Sequence, residues 1–227
     1  MRWDGGDEAG LSPERLNFLT DGVYAIAITL LVLELKAPDH LRSDQVLASL
    51  LASGPKFVAY LIAFSACAVG WTFTYMTHGF VRRAGPAHLF LTLISLLSVG
   101  LIPYSSALMG NYPDSPWGIV AYAVDVGLLA AVYGLDLTLA ARNLPAHVDR
   151  RPIRLLAWTA IAVAAIAVVG SMLAFWSPRG ALILIGVTTV GIWAEYFVLV
   201  SWMGRAIEAL YTERHSPAPQ PTARRRR

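Results

Sequence analysis

"LLAWTAIAVAAIAVVGSMLAFWSP", residues 155–178, runs from Leu155 to Pro178 without a charged side chain. About 20 mainly apolar residues, coiled as an α-helix, cross the roughly 30 Å hydrocarbon layer of a bilayer. This run is long enough to do so. Working outward, Phe57 to Val81 holds only His78 among charge-bearing side chains, and Ala84 to Pro113 holds only His88. Charged residues make up 15% of the chain and apolar ones 56%, whereas a soluble domain is about a quarter charged. The chain reads as an integral membrane protein of the all-α class.

Counting apolar runs predicts six spans, at 14–36, 56–80, 86–108, 117–141, 153–176 and 180–204. The runs are continuous, not alternating, which argues against a β-barrel. The opening "MRWDGGDEAG" is acid-rich and lacks a basic leader, so no secretory signal is expected. Cys67 is the single cysteine, so no internal disulfide can form, and a small buried hydrophobe is the simplest reading.

Lys and Arg placement predicts orientation. With six spans, one side carries fourteen arginines: Arg2, Arg15, Arg82, Arg83, Arg142, Arg150, Arg151, Arg154, Arg205, Arg214 and Arg224 to Arg227. The other side has Lys36, Arg42, Lys56 and Arg179, four in all. Both termini are therefore expected in the cytoplasm, with the protein in the cell (inner) membrane. Short loops leave no room for a soluble domain. In the outer segment 37–55, Ser43 is expected to cap a short amphipathic helix bearing Val46, Leu47, Leu50 and Leu51. Residues 1–212 read as one membrane domain without internal duplication, and 213–227 as a disordered basic tail. The tail's arginines either meet anionic lipid or are simply solvated. No nucleic-acid partner is expected.

No enzyme motif emerges. His40, His78, His88, His147 and His215 are scattered without metal-ligand spacing. There is no nucleophile elbow, P-loop or dinucleotide fingerprint. No metal or cofactor is expected. Ionisable residues within spans are costly and mark candidate sites. Asp21 lies in the first span, Asp125 and Asp136 in the fourth and Glu195 in the sixth. Asp136 falls near the cytoplasmic interface. Asp125 and Glu195 read either as a transport or proton-relay pair or as polar links between helices, and the lack of a basic partner favours the second.

The first span, "RLNFLTDGVYAIAITLLVLELK" (Arg15 to Lys36), has two faces. At about 100° per residue, Leu19, Gly22, Ile26, Thr29, Leu30 and Leu33 form one stripe, with Asp21 about 140° from Ile26. Arg15 and Asp21, six apart, do not face each other. Asp21 then needs a partner on another helix or a place at the helix start, because burying it unpaired costs several kcal/mol.

These residues carry a resemblance. The segment R-x-x-x-L-T-D from Arg15 to Asp21 resembles the R-x-x-x-F-S-D signature of the transmembrane protein 175 family of potassium channels, with Leu19 and Thr20 in place of Phe and Ser. "YMTH" (Tyr75 to His78) is similar to the family's W-x-x-H, and "LIPYSSAL" (Leu101 to Leu108) to its L-L-P-F-P-T-A segment. Thr92 stands where the family usually has Asn. The resemblance implies six helices per chain, a homotetramer, and a central pore lined by four copies of the first helix. It implies constriction by Ile26, Leu30 and Leu33, with the Thr29 hydroxyl beside them and potassium as the permeant ion. It further implies a network of Arg15, Thr20, Asp21 and His78 that docks the first helix, with Thr92 possible only as a rewired member. The reading is a potassium-permeable cation channel, in contact with membrane lipids and monovalent cations. The alternatives are a secondary transporter using Asp125 or Glu195, and a membrane scaffold or enzyme without transport.

Overall fold

Proline fixes where the helices begin. Its locked φ suits the first helical turn, where its missing N–H has no intrahelical partner to lose. In the computed structural model, which describes residues 13–36, 42–80, 85–142 and 150–215, every long helix carries a proline at its first or second position. Only the backbone is described at 13, 14, 76–80, 152, 196 and 198–215. The long helices are α1 (Pro13–Leu31), α3 (Gly54–Phe80), α4 (Pro86–Asn111), α5 (Pro116–Arg142), α6 (Arg151–Ala174) and α7 (Pro178–His215), and the short α2 (Val46–Ala52) lies between α1 and α3. Two compact units divide the chain, Met1–Val190 and Gly191–Arg227.

Five of these helices contain stretches long and apolar enough to cross a membrane: Arg15–Glu34, Gly54–Tyr75, Pro86–Asn111, Pro116–Arg142 and Ile153–Ala174. The sixth expected span, 180–204, falls on α7, where the side chains from 198 onward lie outside the described residues. Of the expected disordered tail 213–227, residues 213–215 instead continue α7, and 216–227 lie outside the described residues.

Two local expectations are corrected. Ser43 does not cap α2. The helix starts after Gln45, whose side-chain oxygen instead accepts from the Arg42 backbone N–H at 3.2 Å, closing a turn ahead of the helix. The first span does not stay α-helical to its end either. It tightens into a 3-10 turn over Val32–Glu34, and Leu35 then leaves helical geometry at φ −86, ψ 65.

The core lies where α1, α3, α4 and α5 converge. It contains Tyr24, Ala27 and Leu31 from α1, Ala63 and Cys67 from α3, Val99 and Ile102 from α4, and Ile119 and Tyr122 from α5. Cys67 is buried and unoxidised. Between membrane helices, close approach depends on small residues. A Cβ at Gly127 would sit 2.8 Å from Ala167 Cβ, and one at Gly134 would sit 2.8 Å from Ile161 Cγ1 and 3.2 Å from the Ala157 carbonyl oxygen. These two glycines, seven residues apart on one face of α5, let α6 lie almost against its backbone. α4 continues as a helix through Pro103.

Candidate functional site: the two faces of the first helix

The inward face of α1 reads Leu16, Thr20, Tyr24, Ala27 and Leu31, at spacings of three and four, and all five are buried. They pack toward α3 and α4, the helices that α1 contacts. The opposite stripe is uncovered within one chain: Ile26 is 60% exposed, Leu30 43% and Leu33 62%, with Leu19, Gly22 and Thr29 also exposed. Leu33 belongs to the 3-10 turn, yet stays on the outward side. The Thr29 hydroxyl lies 2.8 Å from the Ile26 carbonyl oxygen and 3.0 Å from that of Ala25, so its proton bonds back to the helix and its lone pairs face outward.

Asp21 meets another helix. Trp71 on α3 donates its indole N–H to Asp21 Oδ1 at 2.7 Å, and the Trp71 ring stacks on Tyr75 with centroids 5.9 Å apart. The expected network names His78 on this helix and omits Trp71, one turn before Tyr75. The expected network is brought together only in part. Arg15 is exposed in the first turn and forms no ion pair with Asp21 among the described residues. Thr20 is buried, and among the described residues its hydroxyl has no hydrogen-bond partner. The side chain of His78 lies outside the described residues. Thr92 turns back on its own helix, donating to the His88 carbonyl oxygen at 2.9 Å.

The remaining intramembrane acids are structurally engaged. Ser105 donates to Asp125 Oδ2 at 2.8 Å, tying α4 to α5. Asp136 pairs with His88 Nδ1 at 2.6 Å, and both side chains are about nine-tenths buried. The sequence could not suggest this pair, because its members stand 48 residues apart on different helices. Glu195 is half-buried within the second unit. No group of three or more His, Cys, Asp or Glu residues that could hold a metal ion occurs among the described residues.

Fold and site define a multi-pass α-helical membrane protein whose first helix is docked by one face and left open on the other. Residues 15–103 match the family described as endosomal/lysosomal potassium channel TMEM175. The matched segment runs from α1 through α3 to Pro103 in α4. A potassium channel of Chamaesiphon minutus is 35% identical over 120 residues, covering 52% of this chain and 59% of that one. One of Streptomyces collinus is 33% identical over 98 residues, covering 43% and 48%. The human endosomal/lysosomal proton channel TMEM175 is 30% identical over 138 residues, covering 56% of this chain and 27% of its own length. This chain thus aligns with about half of the curated bacterial relatives it matches. The crystal structure of a lysosomal potassium-selective channel TMEM175 homolog from Chamaesiphon minutus superposes with a TM-score of 0.73 at 26% identity, over 81% of this chain and 97% of that one.

Proposed function

We propose that the chain is a passive, potassium-permeable cation channel. It assembles as a homotetramer in the cell (inner) membrane, with six spans per subunit and both termini in the cytoplasm. Residues 1–212 form the membrane domain and 213–227 a basic tail. The observation that carries the reading is the division of α1 into one face docked by Thr20, Tyr24 and Leu31 and another left open by Ile26, Leu30 and Leu33. That the superposed structure is a potassium-selective channel adds support.

Four copies of the open face around an axis would form an apolar collar. Its length from Ile26 to Leu33 is about 10 Å at 1.5 Å per residue. Such a collar stays dry until it widens, so conduction is gated by wetting. Thr29 contributes hydroxyl lone pairs beside the constriction. Arg15, Thr20, Asp21 and His78, joined by Trp71, hold the helix in place. Potassium is the permeant species, no cofactor takes part, and no chemistry is catalysed. The secondary-transporter alternative is weakened because Asp125 is engaged by Ser105.

Purified protein in liposomes is expected to pass potassium down its gradient without a coupling ion. Ile26→Asn, which places an amide in the collar, is expected to raise that flux. A strict requirement for a proton or sodium gradient overturns the channel reading, and cross-linking that stops at dimers overturns the tetramer. Proton flux is the control to record alongside, since several relatives are named proton channels.

A further inference from the structure

Behind the constriction face, α1 carries a buried tyrosine that the docking network described above leaves out. Tyr24 is 1% exposed, and its hydroxyl hydrogen-bonds that of Tyr133 on α5. Tyr133 in turn lies 3.1 Å from the Thr74 hydroxyl on α3, and Thr74 lies 3.0 Å from the Gly70 carbonyl oxygen one turn earlier. Each hydroxyl has one proton and can both donate and accept. Thr74 is the donor toward both the Tyr133 hydroxyl and the Gly70 carbonyl, and either phenol of the Tyr24–Tyr133 pair can donate to the other. The linked hydroxyls satisfy one another within the core, where a polar group without a partner costs about 1–3 kcal/mol.

Gly70 closes the loop a second time. A Cβ there would sit 2.7 Å from the Tyr24 hydroxyl oxygen and 3.4 Å from that of Tyr133, so glycine leaves the notch that the phenol enters. The Tyr133 ring is steadied from the side by Phe73, stacked at 6.3 Å and 15°. A hydroxyl inserted into a notch of this shape fixes the roll of α1 about its own axis. Aliphatic packing alone would tolerate a change of roll.

We infer that Tyr24, through Tyr133, Thr74 and the Gly70 notch, is a positioning residue for the conduction path. It sets the rotation of α1 and so decides that Ile26, Leu30 and Leu33 stand at the front. Tyr24 is two residues from Ile26, and a roll of one position, about 100°, would replace Ile26 by Ala25 or Ala27 and widen the collar. The inference rests on the channel reading.

The test uses Tyr24→Phe, Tyr133→Phe and the double variant, which keep the rings and remove only hydroxyls, in full-length protein reconstituted in planar bilayers. Each single variant is expected to shift open probability or unitary conductance at least threefold, in the same direction. The double variant is expected to shift it no further, since either change breaks the same chain. Lowered thermal stability with wild-type open probability and conductance overturns the inference, for it would show the hydroxyls to be structural only. If the wild type passes no ion, the channel reading falls, and the positioning claim is then judged without conduction. In a Cys67→Ala background, the thiol-labelling rate of Ile26→Cys must change at least threefold on adding Tyr24→Phe. An unchanged rate overturns the inference independently of the function.

Discussion

Replacing Trp71 by Phe removes a single N–H, the one that Trp71 donates to Asp21 Oδ1 at 2.7 Å, while keeping an aromatic ring against Tyr75. A hydrogen bond to a charged group contributes about 1.5–3 kcal/mol when shielded. Here both partners are exposed within one chain, Trp71 at 41%, and exposed charged contacts are worth about 0.2–1 kcal/mol. The expected value lies near the junction of these ranges, about 1 kcal/mol, equivalent to about a fivefold change in an equilibrium constant. The loss of the larger indole surface adds to the effect of Trp71→Phe alone, so the single variant is ambiguous. A double-mutant cycle with Asp21→Ala, which removes the acceptor, cancels that contribution and isolates the bond. Measured by denaturant titration of the purified protein in detergent, the coupling energy is expected at about 1 kcal/mol. Potassium flux should follow if the bond is made in one gating state only. A coupling below about 0.3 kcal/mol would show that the contact does not hold α1, and the docking role given to Asp21 would have to be abandoned.

Further expectations follow from other contacts. Ile26→Asn raises passive potassium flux in liposomes, since a polar side chain lowers the cost of wetting the collar. Gly134→Val lowers thermal stability by about 1–3 kcal/mol through overpacking. Ile161→Ala restores part of that, because it removes the Cγ1 contact at 2.8 Å but not the Ala157 carbonyl at 3.2 Å. Asp136→Ala, which removes the partner of His88 Nδ1 in a site about nine-tenths buried, costs about 1–3 kcal/mol, and His88→Leu/Asp136→Leu costs less because both members of the bond are removed together. Equal losses for the single and double variants, read by thermal melting, would contradict the pairing.

What could be read in advance followed one principle: a property carried by consecutive residues is legible, and one carried by helices meeting is not. The charge-free runs marked five of the six expected spans among the described residues, and Pro86, Pro116 and Pro178 stand at the starts of their helices. Periodicity grouped Ile26, Leu30 and Leu33 on one stripe of α1, but that this stripe is the open side came from the resemblance. The partners were hidden. Trp71 lies 50 residues from Asp21, and Tyr133 lies 109 from Tyr24. Such distances carry no local pattern, and Tyr24 looked like one more apolar residue within "GVYAIAI". The Ser43 cap failed because a capping residue is recognised by type, whereas the turn closed by Gln45 depends on where the chain bends.

The prolines at the helix starts have a consequence for biogenesis. A membrane chain is threaded into the bilayer as it leaves the ribosome, when none of its later helices exist to pack against. A boundary set by tertiary contact would be undefined at that moment. Pro55, Pro86, Pro116, Pro152 and Pro178 sit in the first turns of successive helices, and each fixes its own start by covalent geometry. Each of these helices thus leaves the ribosome with its start already marked, before any neighbour has arrived to align it.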